Sequence, residues 1–273
     1  MFATMNTITA PDSFFGKLKY NLLPPAVKTE VVKVEDGSDF LHLTVPVVRG
    51  KIYWNNVRAA LGDANRTMLA PAGVPVKESV HLKQFESEKF LSILTLNSFF
   101  KLLHLLPRGE LLAACAVTDF SGSLASSLLE LPRCCRTVTV ITAKPEKYEH
   151  FCRYALEKYG CAVCVSESIS KAFDAPVVLA PKTFRYATAF SRESTVFAAS
   201  AKNIYTSRLI TPEGVSLPEK YLQLLPKGIS PTLFAAALYE ISGVSSLSRC
   251  ACPAFRQNNL ILSYQDVISM LDY

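Results

Sequence analysis

The side chains best placed to do chemistry stand in the segment Thr118-Asp119-Phe120-Ser121-Gly122-Ser123. A carboxylate such as Asp119 can act as a general base, a metal ligand or an acceptor for a hydroxyl. Gly122 and Ser123 would let a phosphate come close to the backbone, and Ser121 adds a second hydroxyl. Further on, Thr142 and Lys144 bracket Ala143, and Lys144 offers a cation to an anionic group. Arg66, in the polar stretch Gly62-Asp63-Ala64-Asn65-Arg66-Thr67, offers another. Asp119 and Arg66 are therefore the candidates to act on a substrate. Asp119, Ser121, Gly122, Ser123, Thr142 and Lys144 are the candidates to hold a cofactor. Each has a plainer use: an Asx turn or helix cap for Asp119, a solvated charge for Lys144, an ordinary helix-ending loop around Arg66.

The other reactive residue types form weaker patterns. Cys161-Ala-Val-Cys164 has C-x-x-C spacing. On a strand, however, residues three apart point to opposite faces, so these thiols would share neither a metal nor a disulfide. Cys250-Ala-Cys252 lies in a loop-like stretch before Pro253 and could share a metal, but no second Cys/His pair follows nearby. No metal site is expected. His42 alternates with Leu41 and Leu43, which turns it toward solvent, and His104 sits in an apolar helix as a partly buried group. The chain has no H-E-x-x-H, no G-x-S-x-G elbow and no Walker loop.

These residues must be positioned by secondary structure, and the second half of the chain is explicit about it. Short apolar runs at 111–117, 137–141, 161–165 and 176–180 read as strands buried on both faces of a parallel sheet. Thr195 to Ala199 reads as a fifth. Ser123 would cap a helix over 124–131, and Pro145 would open another that Gly160 closes. In that second helix Tyr148, Phe151, Cys152, Ala155 and Tyr159 fall on one face. The carboxyl ends of the strands are then Thr118-Asp119-Phe120, Thr142-Ala143-Lys144, Ser166-Glu167 and Pro181-Lys182. In open α/β sheets ligands bind at that edge.

Over about residues 110–200 this layout resembles the NAD(P)-binding Rossmann superfamily. The resemblance implies a nucleotide-type ligand, with Gly122, Ser123 and the amides of the following helix on the phosphate. It also implies that Lys144, where an acid would hold an NAD ribose, accepts a 2′-phosphate and so favours NADP, with Thr142 beside it. The motif departs from the family: T-D-F-S-G-S stands where G-x-G-x-x-G is usual, and Asp119 puts a negative charge near the phosphate. Three function classes stay open. One is a Rossmann-like protein binding a nucleotide-type ligand. The second is an interaction or scaffold module whose apolar helix 90–106 forms a dimer or partner face. The third is an NADP-dependent oxidoreductase. A methyltransferase-like reading lacks the Gly-rich turn and the acid that it would want.

The first half reads differently. Residues 1–28 look like an irregular lead-in, followed by strands at 29–34 and 40–48, a short helix at 53–61 and a loop over 65–76. A long helix at 86–106 ends at Pro107-Arg108-Gly109. The expected division is a small α+β portion over 1–107 and a Rossmann-like α/β domain over 108–273, with helices on both faces of a mostly parallel sheet. A last helix over 231–241, a short strand at 260–262 and a terminal helix complete it. The chain has 273 residues, with 49% hydrophobic and 19% charged, which excludes a disordered chain. A net charge of +6 with no long basic run does not imply nucleic acid. No apolar stretch reaches the length of a membrane span, and no secretory signal is read at the N-terminus. With those readings the eight cysteines are expected reduced, in the cytoplasm.

Overall fold

The computed structural model describes residues 1–9, 26–62, 67–107 and 109–271. Among them run six α-helices: α1 (Trp54–Leu61), α2 (Lys89–His104), α3 (Glu149–Tyr159), α4 (Glu219–Leu222), α5 (Pro231–Glu240) and α6 (Tyr264–Ile268). The chain forms two compact units. One is Met1–Phe90 with Leu217–Ser248, the other Leu91–Ser216 with Arg249–Tyr273. A single cut after residue 107 is not what the contacts draw. They place nearly all of α2 in the second unit and return α4 and α5 to the first.

The first unit is built on strands β1 (Ala3–Thr9), β2 (Lys28–Val32), β3 (Phe40–Val48), β4 (Lys51–Ile52), β5 (Thr67–Leu69) and β6 (Lys83–Gln84). Their order is β2-β3-β1-β5-β6, with β4 on β3. The expected irregular lead-in therefore contains a central strand: β1 pairs in parallel with both β3 and β5. The expected loop over 65–76 likewise contains β5. Ala3 and Met5 alternate into a core with Leu43, Val45, Trp54, Val57 and Met68. That alternation within Ala-Thr-Met-Asn-Thr-Ile-Thr is the strand signal in the sequence.

Elsewhere in this unit Phe2 stacks on Phe40 at 4.9 Å, and Phe234 of α5 meets Phe40 edge-on at 5.5 Å. The segment carrying α5 comes so near the β2–β3 turn that Ser38 N donates to Ser242 O at 2.7 Å. A Cβ on Gly37 would lie 2.7 Å from that same oxygen, so the position accepts only glycine. Asp36 accepts hydrogen bonds from Lys220 and from Tyr221 Oη, and Glu240 accepts from Ser87 Oγ at 2.7 Å and Phe90 N at 2.9 Å.

The second unit contains β7 (Leu112–Thr118), β8 (Cys135–Ile141), β9 (Ala162–Ser166), β10 (Val177–Ala180), β11 (Thr188–Ala189), β12 (Thr195–Ala198), β13 (Ile204–Tyr205), β14 (Arg208–Glu213), β15 (Ala254–Gln257) and β16 (Leu260–Leu262). The main sheet has the order β16-β15-β14-β12-β10-β7-β8-β9. The strands from β9 to β14 are parallel, and the outer two antiparallel. Counted along the unit, the parallel part reads 3-2-1-4-5-6, which is the Rossmann order. The fold is thus α/β and Rossmann-like. β10 and β12 are buried at every position, as strands covered on both faces must be.

One expectation about helices is corrected here. No α-helix covers 124–131; 3₁₀ turns stand at Ala125–Leu128 and Leu131–Arg133 instead. Ser126 and Ser127 are poor helix formers, and Pro132 ends the segment before a second turn can add α-type bonds. α3 forms where expected, after a 3₁₀ turn at Pro145–Tyr148, and Gly160 ends it in the left-handed region at φ 62°. β14 was not read from the sequence; Arg208, Pro212 and Glu213 break its apolar run.

α2 keeps no exposed apolar face, since every residue from 90 to 100 is buried or half-buried. Phe99 lies 4.9 Å from Phe197 on β12. Asn97 Nδ2 donates to Cys250 O at 2.9 Å, and Ser98 Oγ accepts from Cys252 N at 2.8 Å. Within 90–106 the exposed residues are Lys101, His104 and Leu105. No helix among the described residues is long and apolar enough to cross a membrane.

Candidate functional site

The strand order reverses between β7 and β10, so the crevice at the topological switch point lies between the turns that follow those two strands. The turn after β7 is Asp119 to Ser123. The turn after β10 carries Lys182. They are joined directly: Lys182 Nζ stands 3.2 Å from Asp119 Oδ1, 2.5 Å from Ser121 Oγ and 2.6 Å from Ser123 Oγ.

Asp119 is the hub. Its side chain is fully buried, whereas that of Lys182 is 40% exposed. Oδ2 accepts from Leu124 N at 2.7 Å and from Tyr148 Oη at 2.8 Å. Oδ1 accepts from Ser121 Oγ at 3.0 Å as well as from Lys182. Burial alone would raise the Asp119 pKa. The Leu124 amide, the Tyr148 hydroxyl and the Lys182 ammonium together outweigh it and hold the carboxyl below its ordinary range. The Tyr148 phenol is driven up, first by burial and then by this carboxylate. Tyr148 therefore stays a neutral donor. The cap on the turn at Leu124 is thus the carboxylate of Asp119 and not the hydroxyl of Ser123. A negative charge already occupies the position where a dinucleotide phosphate was expected to lie.

Gly122 sits at φ +64° and is needed on two counts. A Cβ there would meet Lys144 Cβ at 2.9 Å and Lys147 Cδ at 2.8 Å. The stems of both lysines close over this glycine, and Lys147 Nζ donates to Ser121 O at 3.2 Å. Lys144 and Lys147 are exposed, at the carboxyl end of β8 and in the turn after it. Thr142 is buried, and its hydroxyl accepts from Lys144 N at 3.1 Å, so it shapes the turn from which Lys144 projects.

The structure brings together Asp119, Ser121, Gly122, Ser123, Thr142 and Lys144 around one loop. Arg66 lies outside the described residues. Sequence reasoning did not single out Lys182, Lys147 or Tyr148. Lys182 did stand at one of the four strand ends, and that was its available signal. Chemically, Lys182 is engaged by Asp119 and by two hydroxyls, and Asp119 has its lone pairs aimed at protein donors. The arrangement offers two hydroxyls and the ammonium groups of Lys147 and Lys182 around a turn at the sheet edge, with the stem of Lys144 beside them.

A cleft of about 650 Å³ opens next to this loop, lined by Pro145, Glu146, Glu149, Cys152, Arg153 and Val165. A smaller one of about 270 Å³, lined by Arg133, Arg136, Cys135 and Cys161 among others, lies at the opposite, amino edge of the sheet.

The remaining candidates resolve individually. Cys161 is buried and Cys164 exposed, on opposite faces of the strand region. Cys252 is buried with its sulfur 3.7 Å from Tyr264 Oη, and Cys250 is half-buried. All eight cysteines are free thiols. Among the described residues no group of three His, Cys, Asp or Glu side chains is arranged to hold a metal. His42 is half-buried with Nδ1 2.9 Å from Thr4 Oγ1, because β1 lies beside β3. Burial lowers its pKa against the opposing pull of Glu30. His104 is exposed rather than partly buried, with Nε2 3.1 Å from Glu130 Oε2.

No family model matches the chain, and no curated protein matches it. Several solved structures do. The Δ1-pyrroline-2-carboxylate reductase of Thermococcus litoralis, in complex with NADH and L-proline, is 11% identical over 65% of this chain and 58% of its own, with a TM-score of 0.29. A lysine cyclodeaminase is 14% identical over 66% and 57%, with a TM-score of 0.26. The L-tryptophan dehydrogenase of Nostoc punctiforme is 8% identical over 99% and 80%, with a TM-score of 0.30. The chain thus spans well under two thirds of the length of the reductase and of the cyclodeaminase. With likenesses this faint, it is the strand order that carries the assignment of the fold as Rossmann-like.

Proposed function

We propose that this protein binds a nucleotide-type ligand at the carboxyl edge of the second unit's sheet, with its phosphate side at Ser121, Gly122 and Ser123. The observation that carries the reading is the convergence of Lys144, Lys147 and Lys182 on this single loop at the switch point. Lys144, Lys147 and Lys182 set cations around the Ser121–Ser123 turn, an arrangement suited to an anion at that turn, while Glu146 and Glu149 stand on the side of the cleft. Lys144 is the residue on the ribose side, where its charge favours the 2′-phosphate of NADP over the free hydroxyl of NAD. Thr142 and Asp119 serve this site from below, by fixing the turns. The reading is one of binding. Eight unpaired thiols support a reducing, cytoplasmic setting.

The test is a thermal-shift series with NADPH, NADH, ATP and S-adenosylmethionine. A ligand at 100 times its dissociation constant adds about 2.7 kcal/mol. NADPH is expected to raise the transition most, and Lys144→Ala to weaken NADPH more than NADH. If none of the four moves the transition, the reading is wrong; if Lys144→Ala affects both dinucleotides equally, Lys144 leaves the site.

A further inference from the structure

We infer that a phosphate group binds here by taking Lys182 over from Asp119, so that the chain's own carboxylate is a built-in competitor for the ligand. The inference rests on the nucleotide reading and specifies how the phosphate is held. In a Gly-rich phosphate loop the backbone amides at a helix start do the holding. That route is obstructed in this chain. Only 3₁₀ turns follow β7, and the Leu124 amide is already bonded to Asp119 Oδ2 at 2.7 Å. The donors that face outward are of another kind. Lys182 Nζ lies 2.5 Å from the Ser121 hydroxyl and 2.6 Å from the Ser123 hydroxyl, the two hydroxyls are 3.2 Å apart, and Lys147 Nζ reaches the same loop.

Of the three oxygens around Lys182 Nζ, only Asp119 Oδ1 is charged, and it is also the most distant, at 3.2 Å against 2.5 and 2.6 Å. Asp119 does not need that contact to stay satisfied, since Leu124 N and Tyr148 Oη still serve it when Ser121 turns its one hydroxyl proton from Asp119 to the phosphate. Lys182 is partly exposed and can swing outward on its flexible stem, exchanging a carboxylate oxygen for phosphate oxygens. The ligand class is then a phosphate monoester or a pyrophosphate, recognised by ammonium groups and hydroxyls. Such binding weakens steeply with added salt.

The experiment is calorimetric titration with pyrophosphate at low ionic strength, beside NADPH and adenosine, for wild type, Asp119→Asn, Lys182→Gln and Lys182→Arg. Removing one negative charge from beside the site should tighten pyrophosphate about tenfold in Asp119→Asn. Lys182→Gln should lose pyrophosphate binding and Lys182→Arg should keep it, with circular dichroism confirming the fold of each. Adenosine, which has no phosphate, should be indifferent to all three changes. If Asp119→Asn binds pyrophosphate no more tightly than wild type, or Lys182→Gln binds it equally well, the exchange is refuted. NADPH bound equally by wild type and Lys182→Gln refutes the exchange while the nucleotide reading stands. Pyrophosphate bound without NADPH supports the exchange and sinks the nucleotide reading, and binding of neither removes both.

Discussion

Asp119 ties five protein donors into one turn, and its ionisation is therefore a stability term. Its folded pKa lies below the ordinary 3.8. A depressed carboxyl contributes stability that is present above the unfolded pKa and lost as pH falls through the folded one. Asp119→Asn should lower the stability at pH 7 by about 2 kcal/mol, the scale of a charge-assisted hydrogen-bond hub. The gap in melting temperature between variant and wild type should narrow as pH is brought from 7 toward 3. A gap that stays constant across that range would show that the carboxylate charge is not what holds the turn. Asp119, Ser121, Gly122 and Ser123 were legible as a group because they are neighbours in sequence. Lys182 and Tyr148 were not, because they arrive from 63 and 29 residues away. A cap drawn from Asp119 and one drawn from Ser123 look alike in sequence, and only the fold decides between them.

Among the elements, α2 shows how polar residues inside an apolar helix are used. The sequence announced the helix over 86–106, and it forms over Lys89–His104. Asn97 and Ser98, at one level of it, grip the Cys250–Cys252 segment, 153 and 154 residues away. Ser98→Ala would leave the buried Cys252 amide without its acceptor, at a cost of about 2 kcal/mol. Chemical denaturation measures that cost, and hydrogen exchange should show the Cys252 amide losing protection. Unchanged protection would mean that another acceptor serves this amide. The strands of the second unit were largely legible, because full burial leaves uninterrupted apolar runs. β14 was not, since all but one of its residues are only half-buried and its composition follows. The first crossover was misread as α-helix because leucines at 124, 128, 129 and 131 imitate a helical face, while the serines between them and Pro132 limit it to 3₁₀ turns.

For the molecule as a whole, the chain leaves the first unit after Phe90 and comes back to it for Leu217–Ser248. Local patterns reveal elements but not which unit an element joins. α5 reads correctly as a helix, yet nothing within 231–240 says that Phe234 belongs beside Phe40. A fragment of residues 1–107 should consequently lack a cooperative transition and give a poorly dispersed amide spectrum, because Phe2, Phe40 and Asp36 lose their partners on α4 and α5. Well-dispersed signals from that fragment would show that the first sheet folds without the returning segment. The same excursion sets a timetable for birth on the ribosome. The first sheet cannot close until residue 248 has emerged, so Phe2 and Phe40 wait uncovered on the order of ten seconds at ordinary rates of synthesis. The second unit in turn waits for Arg249–Tyr273. Both units must therefore finish almost together, and the nascent chain is most exposed to aggregation or to capture by a chaperone while its middle is being made.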